Sequence, residues 1–398
     1  MVANTWIAAA PGDWSDDANW SLGHSPIAGE DPTFDGTSVN NCAANDSTPT
    51  GVLTIAAGYS GTITQSSDMY ISGYSQAGGT FTGVNTKWVY CSGDFVRTAG
   101  TLITSTCSLK MLGELKSINI GDTIGLGKLW VAGYTYWASG SFIGSNSAGY
   151  QILIDDNKTL YINSGKSVTL VYQNIGSTKS NMINNGTISG TGNINFRLYD
   201  TNYNFPISSL IGNINCTKIT FLLEAGATGN YAFIMLDNYT FISDVYIQSA
   251  HATRIITLDL NGHSLTASSI TVDTRGILQC GEGTITTGAL DSSAGTITEE
   301  TATWIFERGS TIKVAAAQKL YNVIAKGSSA LKLLSNLGIS ELFAHPAEID
   351  RNGFTLTLDQ PDKEYAGLRR PIIVPVKKLD IGEVGLLDSW LRDLGGLL

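Results

Sequence analysis

The sequence predicts an all-β protein, a right-handed parallel β-helix or β-solenoid, on three observations. The first is a near-repeat. Asp259-Leu260-Asn261-Gly262-His263-Ser264-Leu265-Thr266 and Asp350-Arg351-Asn352-Gly353-Phe354-Thr355-Leu356-Thr357 each read as a tight Asn-Gly corner followed by a short Leu/Thr strand. The second is the recurrence of four-residue β-rich runs between turn residues, among them Val52–Ile55, Gly61–Thr64, Lys87–Tyr90, Lys128–Val131, Thr159–Ile162, Gly283–Thr286 and Gly295–Thr298. Coils of roughly 20–25 residues, each holding two or three strands, fit this spacing. The third is where proline is missing: none lies between Pro49 and Pro206, or between Pro206 and Pro346. Proline cannot donate to a strand ladder, so those gaps mark dense backbone pairing.

Residues 1–48 read as an end cap. Trp6, Trp14 and Trp20 occur among glycines and prolines, and large aromatics can cover the apolar side chains that a first coil leaves open. Gly12-Asp13-Trp14, Ala18-Asn19-Trp20-Ser21, Gly23, Pro26 and the stretch from Asp31 through Phe34-Asp35-Gly36 carry a resemblance. This opening resembles the lead-in of β-helical bacteriophage virion proteins and of autotransporter-like bacterial surface proteins. It covers about the first tenth of the chain and implies that a β-solenoid follows. Pro32 stands where such lead-ins carry a β-branched residue, which leaves the start of the first strand open.

Residues 49–360 form the expected solenoid body. Within it, residues 199–250 are richer in aromatics and contain Pro206, which reads either as a widened section or as a small inserted β subdomain. Residues 315–343 mix helix formers with strands. From Pro361 to Leu398 the character changes: Arg369, Arg370, Pro371, Ile372, Val374 and Pro375 read as an extended arm, since prolines forbid helix and central strand alike. Leu386, Leu387, Trp390, Leu391, Leu394, Leu397 and Leu398 then fall at helical spacing, a short amphipathic helix. Arm and helix either close the solenoid's last coil or dock on a neighbouring subunit; the docking residues would be Arg369, Arg370, Ile372, Val374, Leu386, Leu387, Trp390, Leu391 and Leu394.

Charged residues make up 15% of the chain, so Ser, Thr, Asn and Gly must cover its surface, as on sheets and turns rather than helices. A net charge of −10 argues against nucleic acid, and no apolar run nears the ~20 residues of a membrane span. Met1–Trp6 lack the basic end and apolar stretch of a signal peptide, which reads either as a trimmed chain or as folding in a cytoplasm. Five scattered cysteines (Cys42, Cys91, Cys107, Cys216, Cys280) without CxxC or zinc spacing read as free, buried thiols.

Chemistry is sparse. A polysaccharide-cleaving solenoid needs carboxylates about 5–10 Å apart in a groove. The nearest candidates are Asp259 and His263 with Asp273 and Arg275, then Asp155 and Asp156, and all of these fit turn building better. Asp13, Asp16, Asp17, Glu30 and Asp31 lack the alternation of a calcium loop. No cofactor and no metal site is expected. Tyr134, Tyr136 and Trp137 are the best aromatics for stacking on a sugar, although cross-strand packing explains them as well. The resemblance implies a structural virion protein of a bacteriophage, decorating the capsid or forming part of a tail or fibre. It would be assembled in the host cytoplasm among other virion proteins, as a homo-oligomer, a trimer. Two alternatives stay open: a glycan-binding or glycan-cleaving spike, and an adhesin at a bacterial cell surface.

Overall fold

The computed structural model describes residues 2–366, apart from 85, 104–107, 122, 125, 139–140, 144–151, 174–181, 201–204, 208–212, 225–226, 228, 317, 327–329, 346–348 and 361–363. It is a β-solenoid of about 13 coils. Every ladder between its strands is parallel, which is the pairing that winding in one direction produces. One coil shows the plan: strands Trp88–Cys91, Phe95–Arg97 and Thr101–Ile103 lie on three successive faces. The long strand Met69–Gln76 pairs with Trp88–Cys91 through its first half and with Phe95–Arg97 through its second, which joins two faces into one 15-stranded sheet.

Coil length varies along the axis. Leu53 pairs with Tyr74 and Tyr74 with Phe95, so a coil there takes 21 residues. Further on, Val168, Ile194, Ile219, Val245 and Ile270 stack in turn at intervals of 25 or 26. After Ile270 the intervals to Leu290, Ile312 and Leu333 shorten again to 20–22. The described residues of 199–250 therefore belong to a widened section of the same solenoid, not to an inserted subdomain. Helix formers in 315–343 are overridden: strands Lys319–Leu320, Asn322–Ala325, Leu331–Leu333, Leu337–Ile339 and Phe343–His345 continue the ladders. The one helical element among the described residues is the 3-10 turn Asp17–Asn19, so none is long and apolar enough to cross a membrane. The arm and amphipathic helix, with all nine docking residues from Arg369 to Leu394, lie outside the described residues.

Alternation builds the core. In the ladder from Trp88–Cys91 upward, Val89, Cys91, Leu109, Met111, Leu129, Val131, Ile152 and Ile154 point inward and are at most 1% exposed. Each such side chain contributes about 1.5–3 kcal/mol by leaving water. A single apolar cluster runs from Trp6 to Phe343. Corners are tight because glycine makes them so. Gly93, Gly113 and Gly133 recur every 20 residues at the corner between the first and second faces. A Cβ on Gly113 would stand 1.9 Å from the Ser92 carbonyl oxygen of the coil below, and one on Gly133 would stand 2.2 Å from that of Gly113. Gln76, buried in the interior, is fully bonded: its amide donates to the carbonyls of Gly78, Gly79 and Thr101 and accepts from the Tyr74 hydroxyl. The four cysteines among the described residues are buried and unbridged, as expected; Cys107 lies outside them.

The cap has the predicted place and an unforeseen device. Trp6, Trp14 and Trp20 pack around Phe34 with ring centroids 5.6–5.9 Å from it, a plug over the first full coil. The first strand, Val2–Thr5, pairs with Glu30–Thr33 on one side. Its other edge is taken by residues 19–22 running back along it: Ile7 donates to the Asn19 carbonyl, Ser21 to that of Thr5, and Leu22 to the Asn4 side chain. Pro32 sits inside the strand Glu30–Phe34. Pairing to the next coil begins only at Thr33, and the Asp31 carboxylate accepts the Val52 N–H instead.

Candidate functional site

The 20-residue coils between Tyr70 and Trp130 hold like positions above one another, so outward side chains form columns. Tyr70 pairs with Tyr90, Tyr90 with Lys110 and Lys110 with Trp130. The Tyr70 and Tyr90 rings stack at 4.5 Å and 3°. Lys110 lies between Tyr90 and Trp130, its ammonium 5.9 Å from one ring centre and 3.0 Å from the other. Trp88 meets Trp130 edge-on at 5.8 Å, and the Trp130 indole donates to Asp155 at 2.8 Å. Burial among these rings lowers the Lys110 ammonium below its ordinary value, and the Asp155 carboxylate opposes that shift. A cation held over an indole in this way contributes on the order of 1 kcal/mol.

Around the corner lies a second aromatic group, Tyr134, Tyr136 and Tyr161. Tyr136 pairs with Tyr161 across the ladder, their rings 5.6 Å apart and 64° inclined, and Tyr134 leans on Tyr136 at 5.2 Å and 53°. Glu114 accepts the Tyr134 backbone N–H and the Lys158 ammonium, which holds its carboxyl below the usual range, Lys158 contributing most. Partial burial pushes the Tyr134 phenol up, and Tyr136 and Tyr161 add to that. The two groups thus lie on adjoining faces, each a set of rings with charged side chains beside it.

Only part of this face was foreseen. Tyr134 and Tyr136 belong to it, but Trp137 does not: it alternates inward from Tyr136, pairs with Ile118 and Ile162, and is fully buried. Tyr161 takes the place assigned to it. Trp88, Tyr90, Lys110 and Trp130 were missed, although a 20-residue spacing from Tyr70 to Tyr90, Lys110 and Trp130 stands in the sequence.

The carboxylates considered for catalysis build turns. The Asp259 carboxylate accepts the Asn261 N–H at 2.8 Å, and His263 closes that turn on the Leu260 carbonyl. Asp273 closes the next corner through its carbonyl to Gly276, with Arg275 in the left-handed region at φ 61°. Asp259 lies opposite Gln279, at the far end of the strand that begins at Gly276. Three residues of strand separate Gly276 from Gln279, about 10 Å, and each carboxylate bonds within its own corner, Asp259 to the Asn261 N–H and Asp273 to the Thr274 N–H. Asp155 closes a turn with Lys158 and serves Trp130, and Asp156 lies within that turn. Asp259 does line an open hollow of about 260 Å³ with Glu282 and Glu300. In the cap, Asp16, Asp17, Asp31 and Glu30 each bond a different backbone N–H, of Ala18, Ser25, Val52 and Ile27. Among the described residues no group of three or more His, Cys, Asp or Glu is placed to hold a metal ion. The chain matches no known family, no curated protein and no solved structure.

Proposed function

We propose that the chain is a structural component of a bacteriophage virion, decorating the capsid or forming part of a tail or fibre. One observation carries this reading: the parallel ladder of about 13 coils shares a single core and is sealed at its first coil by the tryptophan plug. Strands bonded on both sides leave few edges for unfolding or proteolysis to start from, which suits a particle exposed outside a cell. The lead-in Gly12–Gly36 supports the same reading by resemblance. The partners are then other virion proteins and further copies of the chain, in a trimer. Gold-labelled antibodies against the purified protein test it. Label on intact particles is the expected result; label on the bacterial envelope but not on particles favours the adhesin and overturns the proposal.

One observation favours a second reading, a surface-glycan ligand. Tyr70 and Tyr90 stack face to face, whereas Tyr134, Tyr136 and Tyr161 are inclined to one another by 53° and 64°, which covers less ring face than stacking does, and they lie beside Glu114 and Lys158. Rings so placed suit the C–H faces of a pyranose, and the charges suit its hydroxyls. On a glycan array the protein is expected to bind at least one polysaccharide, and Tyr136→Ala to weaken that binding about tenfold or more. An array with no bound glycan ends this reading.

A further inference from the structure

The two ends of the core differ. Over the first coil, the apolar interior is closed by Trp6, Trp14 and Trp20, each no more than 3% exposed. At the other end Leu356 stacks on Leu337, Leu358 on Ile339, and Ile349 on Leu331. The three lower residues are 1–2% exposed. Ile349, Phe354, Leu356 and Leu358 pack against the same core yet stay only partly buried. Among the described residues nothing pairs with the outer edge of the strand Leu356–Leu358 or of Glu364–Ala366. A solenoid end in this state exposes apolar side chains and unpaired amides, and repeat proteins close such ends with a cap whose outer face is polar.

A second copy stacked head to tail does not meet this need. The free edge of the first strand, Val2–Thr5, is already bonded by residues 19–22, and the plug fills the space above Phe34. A segment of this same chain does meet it. Leu387, Trp390, Leu391 and Leu394 fall at i, i+3, i+4 and i+7, one face of a helix, and Asp388, Ser389, Arg392 and Asp393 fall on the other. The last described strand ends at Ala366, so the 20 residues between there and Leu387 are long enough to cross a coil at ~3.3 Å each. A tether of that length gives a local concentration in the millimolar range.

We propose that Leu387, Trp390, Leu391 and Leu394 of this chain seat on Ile349, Phe354, Leu356 and Leu358 and seal the C-terminal coil. This assigns the helix to the chain's own end rather than to a neighbouring subunit. Hydrogen exchange read by mass spectrometry on the full chain tests it, comparing wild type with Leu387→Asp combined with Leu391→Asp. Amides of residues 354–366 are expected to be protected in the wild type and to exchange at least tenfold faster in the variant. The strand Trp88–Cys91 reports that the variant has folded, and its exchange is expected to be unchanged. Three outcomes overturn the proposal: fast exchange of 354–366 in the wild type, equal exchange in both proteins, or protection that grows with protein concentration. The last would mean that another copy supplies the cover.

Discussion

Gly113 has no space for a methyl group, and the reason is neither its φ nor its chain neighbours. The coil below presses its Ser92 carbonyl oxygen to 1.9 Å from where a Cβ would be. Gly262 is the opposite case. It faces open space but holds φ at 78°, beside Asn261 at 49°; the second copy of that corner, Asn352-Gly353, has 46° and 81°. Gly113→Ala is therefore expected to destabilise by about 2–4 kcal/mol, through a forced backbone shift in a packed stack. Gly262→Ala is expected to lose about 1 kcal/mol, through left-handed strain alone. Urea denaturation gives both values from the midpoints; equal losses would contradict the close-approach argument. The Asn-Gly corners were legible in the sequence because that dipeptide dictates its own backbone. The glycine column was not, because its cause lies one coil away.

At the scale of the strand, the sequence discloses more of the interior than of the surface. Alternation in Trp88–Cys91, Ser108–Met111 and Lys128–Val131 names the inward residues directly, since period two leaves no choice once one apolar position is known. The same rule excludes Trp137 from any face that includes Tyr136, a step that counting aromatics passed over. What alternation does not give is which strands adjoin. Tyr136 meets Tyr161 at an interval of 25 residues, whereas Tyr90 meets Lys110 at an interval of 20. Because corners and loops absorb the difference, no single spacing holds for all the outer columns. The column Tyr70, Tyr90, Lys110 and Trp130 does keep a spacing of 20, but Lys110 interrupts its run of rings, so a search for aromatics alone passes over it. Residues 315–343 show the converse: helix formers there take the strand pairing that the coil beneath offers.

For the whole molecule, energetics in a stack of coils are local: each coil meets only its neighbours, so damage at one end stays there. The buried cysteines report this at four positions along the axis, Cys42 within the first coils, Cys91 and Cys216 further in, and Cys280 towards the other end. Burial pushes the thiols of Cys91 and Cys216 up to about 12 and raises that of Cys42, where Asp13 adds to the effect. At pH 8 none of these three reacts in place, and alkylation measures opening of its coil. The sign for stability follows from the same shift. Between about pH 9 and 12 the unfolded chain has lost thiol protons that the folded chain keeps, so these groups stabilise fully below that window and progressively less as pH rises through it. The Trp14 backbone N–H donates to the Ala43 carbonyl, which sets the Trp14 side chain beside the strand of Cys42. Trp14→Ala removes a plug side chain at about 3 kcal/mol, which is roughly a hundredfold in a local opening equilibrium. Iodoacetamide labelling at pH 8 in mild urea is thus expected to accelerate about that much at Cys42 and to stay unchanged at Cys216 and Cys280. Equal acceleration at all three sites would mean that the coils open as one cooperative body, and the local energetics assumed for this rod would be wrong.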